Sequence, residues 1–139
     1  MNVQDVMTKK VVQVDRETSL ADAATMMKNE DVGWLPVVFE GRVQGVVSDR
    51  DIVTRAVSEG RDAGSTTVGD VMTDDVVWCT ADTPIKEAAK MMEDRKIRRL
   101  LVKGQEGRPV GALSLGDLAV RDLGHDAAAD VLEEVSTEE

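Results

Sequence analysis

Two seven-residue segments hold the side chains best suited to chemistry. Gly45, Ser48 and Asp51 recur as Gly111, Ser114 and Asp117 in the pattern Gly-h-h-Ser-x-x-Asp, where h is apolar. Both copies fall where β-forming residues give way to helix formers. At such a junction the first helical amides lack intrahelical partners and the helix dipole is positive, so an anion such as phosphate is favoured. The serine hydroxyl can donate to a phosphate oxygen, and an aspartate one turn on can accept two hydroxyls from a ribose. Ser-x-x-Asp is equally a capping box, in which serine takes the amide three residues on and the acid reaches back. Spacing leaves both readings open.

Other chemistries find less support. Cys79 is the only cysteine and His125 the only histidine. No intrachain disulfide can form, a zinc site of several thiolates is excluded, and no Ser or Cys has a His and an acid at triad spacing. Cys79 reads as a small packed residue. Glu133, Glu134, Glu138 and Glu139 read as solvated surface, and no spacing selects a catalytic pair of carboxylates. With no general base in view, no enzymatic activity is expected. The formal net charge of −10 argues against binding nucleic acid through its phosphates. No apolar run approaches the roughly 20 residues that span a bilayer, so no membrane partner is expected. Met1 to Lys10 lacks the apolar stretch of a secretory signal, which places the protein in the cytoplasm.

Self-similarity reveals what must hold the two segments in place. Asp5-Val6-Met7-Thr8 recurs as Asp70-Val71-Met72-Thr73, 65 positions on, and the same offset carries Val11-Val12, Ala23-Ala24 and Met26-Met27 onto Val76-Val77, Ala88-Ala89 and Met91-Met92. After one inserted residue the match resumes at an offset of 66, through Gly45 to Asp51 and Gly111 to Asp117. The chain thus divides into a first repeat over 3–57, an exposed linker over 58–67, a second repeat over 68–123, and a C-terminal helix and tail over 124–139.

Each repeat predicts the order strand, helix, strand, strand, helix. Val11 to Val14 and Val76 to Cys79 are short β-rich pieces. Leu20, Ala23, Ala24 and Met27, and again Ile85, Ala88, Ala89 and Met92, have the i, i+3, i+4, i+7 spacing of a buried helix face. Thr18 or Ser19 can cap the first of these helices, and Thr83 followed by Pro84 marks the start of the second. The methionine pairs read as core filler. Leu35 to Phe39 and Val43 to Val47 form a hairpin around Glu40-Gly41-Arg42. Leu100 to Lys103 and Val110 to Leu113 do so around Gly104 to Pro109. Final helices run from Asp49 to about Val57 and from Leu115 to about Leu123. Asp126 to Val135 predicts one more short helix, ending in a frayed tail. A unit of about 55 residues buries little core alone, so the two copies are expected to pack about a pseudo-two-fold axis, leaving two related clefts.

The Asp-Val-Met-Thr openings, the Leu35-Pro36-Val37-Val38 strand and the doubled Gly-h-h-Ser-x-x-Asp segment together resemble a tandem pair of CBS domains, the Bateman module, over about residues 3 to 123. The resemblance implies an α/β fold of α+β type, built from two β-α-β-β-α repeats. It also implies a homodimer whose clefts bind adenosine-containing small molecules, with Ser and Asp of the motif on phosphate and ribose. Carried over, this nominates Ser48 and Asp51 in one cleft, Ser114 and Asp117 in the other, and Arg50 as a phosphate partner. The second copy departs from the first: Leu115 and Gly116 replace Asp49 and Arg50, and Leu101 replaces Pro36. Arg98 and Arg99, just before the strand, can restore the positive charge, so two unequal sites are expected. Trp34 and Trp78 are each open to stacking on adenine or to packing at an edge or interface.

The resulting expectation is a regulatory, ligand-sensing module that binds an AMP-, ADP- or ATP-like adenine nucleotide, reports occupancy to a regulated protein outside this chain, and requires no cofactor. Magnesium can accompany a bound polyphosphate, but no dedicated protein cage for it is visible. The alternative is an interaction scaffold with vestigial ligand sites.

Overall fold

A computed structural model of the chain describes residues 1–120, apart from the side chain of Val120. The far end of the last predicted helix, His125, the 126–135 helix and the tail lie outside the described residues. Two compact units emerge. One, the first-copy unit, comprises Val11–Val76 with Glu106–Arg108; the other, the second-copy unit, comprises Met1–Lys10, Val77–Gln105 and, among the described residues, 109–120. The opening segment of each sequence repeat therefore packs in the unit built by the other repeat.

In the first-copy unit, helix α1 (Leu20–Glu30) begins where the Ser19 hydroxyl accepts from the Asp22 amide at 3.1 Å. It ends at Asp31 in the left-handed region, φ 54°. Leu20, Ala23 and Met27 are buried, whereas Ala24, expected on the same face, is exposed and Met26 is half-buried. The apolar stripe is thus narrower than its spacing suggested. Strands β1 (Trp34–Phe39) and β2 (Arg42–Ser48) pair antiparallel. They turn at Glu40 (φ 51°) and Gly41 (φ 79°), two positive-φ positions of the kind whose twist matches that of the strands. The expected strand over Val11–Val14 shrinks to one parallel bridge, Val14 to Val37. Helix α2 (Asp49–Ile52) runs on into a π-helical turn over Val53–Val57.

The 58–67 segment is exposed only in part. Thr66 is buried, and the carbonyls of Thr66 and Ala63 accept the Leu20 and Ala21 amides at 2.9 and 3.0 Å. These would otherwise be orphan donors at the start of α1, which is why a Gly/Ser/Thr-rich stretch is held close. Helix α3 (Val68–Val71) follows, opened by a capping box between Thr67 and Asp70. The Thr67 amide and hydroxyl, together with Arg61, hold the Asp70 carboxyl below the usual carboxylate range.

The second-copy unit repeats the plan. Strand β3 (Trp78–Thr80) pairs parallel with β4 (Arg99–Lys103), which pairs antiparallel with β5 (Pro109–Ser114). Helix α4 (Ile85–Arg95) buries Ile85, Ala88, Ala89 and Met92. Its N-cap is Pro84 rather than Thr83, whose hydroxyl instead accepts the Thr80 amide at 3.1 Å. Helix α5 (Leu115–Val120) follows β5.

Each unit has its own core: Leu20, Leu35, Val37, Val47, Val68 and Val71 in the first, and Val3, Met92, Leu100, Leu113 and Leu118 among others in the second. Among the described residues no helix is long and apolar enough to cross a membrane.

Candidate functional site

In both copies the motif closes on itself. Ser48 N donates to Asp51 Oδ2 at 2.9 Å while Asp51 N donates to Ser48 Oγ at 3.1 Å. The corresponding distances for Ser114 and Asp117 are 2.9 and 3.0 Å. These are reciprocal capping boxes, and they meet the orphan amides that any anion would otherwise claim. In the first copy the remaining donors are also used. Asp49 N reaches Gly33 O at 2.9 Å and Arg50 N reaches Asp49 Oδ1 at 2.8 Å. The open amides expected at this helix start are therefore already partnered. In the second copy Leu115 N reaches Arg98 O at 2.8 Å, and leucine in place of Asp49 removes the acceptor next to Gly116.

The motif glycines have a structural cause. A Cβ on Gly45 would lie 2.6 Å from Thr73 O, and one on Gly111 would lie 2.6 Å from Met7 Sδ and 3.0 Å from Thr8 O. In each unit the opening segment runs along the hairpin edge, bridging Thr73 to Val46 and Thr8 to Ala112. A residue without a side chain lets it pass without a close contact.

Of the predicted cations, Arg50, Arg98 and Arg99 are exposed. Arg99 stands opposite Ser114 across the β4–β5 pair, and Arg98 contributes its carbonyl to the motif. A further arginine went unread in the sequence. Arg55 Nη1 lies 3.7 Å from Asp51 Oδ1 and donates to the carbonyls of Val71 at 2.9 Å and Met72 at 3.2 Å. It ties the motif to the end of α3, and its i+4 position after Asp51 is the signal that would have revealed it. The counterpart at an offset of 66, Arg121, lies outside the described residues.

A cavity of about 350 Å³ opens in the first-copy unit beside Val14 and Gly41, with polar walls from Gln13, Asp15, Thr18 and Glu40 and apolar ones from Met26 and Val38. It contains none of the seven predicted site residues. Gly41 lies in the hairpin turn, whereas Ser48 ends β2 opposite Trp34, so cavity and motif occupy opposite ends of the same hairpin. Trp34 is half-buried. Trp78 carries the Lys103 ammonium over its ring, 4.3 Å from the centroid. Burial pushes the Cys79 thiol up to about 11, which leaves it protonated and unreactive at neutral pH. Among the described residues no group of three or more His, Cys, Asp and Glu is placed to hold a metal ion.

Two hairpin-and-helix units, each with a capped Ser/Asp pair after its last strand, match the CBS domain family, whose model fits residues 3–58 and 68–124. The chain belongs to this family. It is similar to YhcV, a CBS domain-containing protein of Bacillus subtilis (strain 168), with 36% identity over 135 residues, covering 97% of this chain and 95% of that protein. Among solved structures it resembles Hypoxic Response Protein I, crystallised with two coordinated zinc ions (31% identity, TM-score 0.75, 86% of this chain and 98% of that one). It also resembles the CBS domain pair of MJ0100 in complex with 5′-methylthioadenosine and S-adenosyl-L-methionine (TM-score 0.78, 86% of this chain and 94% of that one). At 24% identity that last likeness speaks for the fold.

Proposed function

We propose that this chain is a regulatory module that binds an adenosine-containing ligand, an AMP-, ADP- or ATP-like nucleotide in the first instance, and carries out no reaction on it. The observation that carries this reading is the cavity. Its volume of about 350 Å³ falls within the roughly 300–1,000 Å³ of small-molecule sites. Apolar walls from Met26 and Val38 suit a flat base, and Gln13, Asp15 and Thr18 supply donors and acceptors for its edge. Membership of the CBS family supports the reading, as does the adenosine chemistry of the ligands held by MJ0100.

Ser48 with Asp51, and Ser114 with Asp117, stand apart from that cavity; their part in the reading is a separate one, in which each pair exchanges its mutual capping bonds for bonds to ribose and phosphate, with Arg50, Arg98 and Arg99 as phosphate cations. Magnesium would come only with a polyphosphate. A homodimer in the cytoplasm, acting on a separate regulated protein, is the setting this function needs. Occupancy shifts shape or assembly only as far as affinity differs between the two states.

One observation favours a second reading, an interaction scaffold with vestigial sites: both Ser/Asp pairs are fully engaged in capping. Calorimetric titration with AMP, ADP, ATP, NAD and S-adenosylmethionine, beside Asp51→Ala and Asp117→Ala variants, separates the two. Saturable binding weakened at least tenfold by one variant is expected. A folded wild type that binds none of the five establishes the scaffold instead.

A further inference from the structure

Arg55 joins the motif of the first copy to the segment that lies along its hairpin. The capping box uses one oxygen of Asp51, Oδ2, which accepts the Ser48 amide at 2.9 Å. The other, Oδ1, faces Arg55 Nη1 at 3.7 Å. The same nitrogen donates to Val71 O at 2.9 Å and to Met72 O and Thr73 Oγ1, each at 3.2 Å. Thr73 in turn exchanges two backbone hydrogen bonds with Val46, at 2.8 and 2.9 Å, and Val46 stands on β2 just ahead of Ser48. The contacts close a ring that runs from Ser48 through Asp51, Arg55, the end of α3 and Thr73 to Val46, and back along β2. Every member lies within the first-copy unit.

The Arg55 nitrogen is oversubscribed. An arginine has five N–H donors, two of them on each Nη, whereas four acceptors stand within 3.7 Å of this one. An acceptor that is satisfied from elsewhere leaves more of the donor for the rest. The carbonyls of Val71 and Met72 are at the end of α3, where intrahelical partners run out, so they depend on a donor of this kind. Asp51 Oδ1 is the acceptor that a ribose hydroxyl can satisfy instead. The Asp51 side chain is 13% exposed and that of Arg55 49%, so the carboxylate is held while the guanidinium has room to shift.

We propose that Arg55 is a positioning residue that couples Asp51 to residues 71–73: when a hydroxyl of a ribose-bearing ligand takes Asp51 Oδ1, Nη1 is released to the carbonyls of Val71 and Met72, and the Thr73–Val46 bridge tightens. The proposal rests on the reading of Asp51 as a ribose acceptor given above. It adds a direction to that reading, because occupancy stiffens the last stretch of the first-copy unit before the chain leaves it at Val76.

The test is amide hydrogen exchange at Thr73 and Val46, read by NMR on the full chain, with binding measured in parallel by calorimetry. AMP and, separately, S-adenosylmethionine are the probes, and the proteins are wild type, Arg55→Met, Asp51→Asn and the double variant Asp51→Asn/Arg55→Met. Asparagine can still accept the Ser48 amide through its carbonyl oxygen but offers Arg55 an N–H donor, so it frees Nη1 without any ligand. Arg55→Met is expected to exchange about fivefold faster than wild type at both amides, the factor for the net contribution of one hydrogen bond. Asp51→Asn should exchange more slowly than wild type, and the double variant should lose that slowing. A bound probe should slow both amides in wild type and leave those of Arg55→Met unchanged; if that variant does not bind, the comparison of Asp51→Asn with the double variant decides. A bound probe without effect on wild type, an equal slowing in Arg55→Met, or an Asp51→Asn protein that exchanges no more slowly than wild type overturns the coupling and leaves the ligand reading standing. Failure of both compounds to bind wild type overturns the ligand reading, and the coupling to a ligand falls with it.

Discussion

Replacing Gly45 by alanine should cost far more than the same change at Gly111, although the two glycines occupy equivalent motif positions. At Gly45 the new methyl would meet Thr73 O at 2.6 Å, well inside ordinary contact. That carbonyl is fixed, because Val46 N donates to it at 2.9 Å and Thr73 N returns a bond to Val46 O at 2.8 Å. Relief means pushing the opening segment off the β2 edge. Overpacking costs about 1–3 kcal/mol, a lost backbone hydrogen bond about 1 kcal/mol, and alanine recovers about 0.5–1 kcal/mol of glycine's conformational penalty. The net expectation is about 2–3 kcal/mol. At Gly111 the nearest atom is instead the sulfur of Met7, with Thr8 O at 3.0 Å. A methionine side chain can swing aside, so about 1 kcal/mol or less is expected. Urea denaturation reads the difference as a midpoint shift at unchanged m-value. Each unit carries one tryptophan, Trp34 in the first-copy unit and Trp78 in the other, so Trp78→Phe and Trp34→Phe backgrounds follow the two units separately. Equal costs, or a larger cost at Gly111, would refute the argument from close approach.

Ser48→Ala and Ser114→Ala each remove the acceptor of a capping box and should destabilise by about 1 kcal/mol, measured as urea midpoints; no change in either would mean that the boxes do not form in solution. Cys79 tests the alkaline limb. Burial raises its thiol to about 11 from an ordinary 9.0, so the folded form holds the proton longer, and stability present below about pH 9 is lost as pH rises towards 11, by of order 2 kcal/mol. A Cys79→Ala variant should show a flatter pH profile over that window, and parallel profiles would count against burial as the cause.

Much of this fold was legible because the chain states it twice. The offsets of 65 and, after one inserted residue, 66 located helices, hairpins and motif together, and Glu40-Gly41 announced its turn by residue type. What escaped the sequence depends on contacts between distant segments. Nothing local in Ser58 to Thr67 says that its carbonyls will serve the amides of α1. Nor does the Val11–Val14 run say that only Val14 will find a partner. Exchange of the opening segments was equally hidden, since a repeat boundary records ancestry of sequence and not which sheet edge a segment joins. The cavity was missed for the same reason: Gln13, Thr18 and Val38 meet only once the hairpin lies beside the residues that precede α1.

The motif that drew attention first is the part the fold explains most completely. Gly45 is required by the passing segment and Gly111 eases the same passage, and Ser48 with Asp51 and Ser114 with Asp117 are required by the helix starts they cap. Residues needed by the architecture in both copies say little about which copy binds a ligand. That information lies where the copies differ without structural necessity. Gln13 and Val38 line an open cavity, whereas the equivalent positions of the second copy carry Trp78 and Lys103, which are in contact with each other.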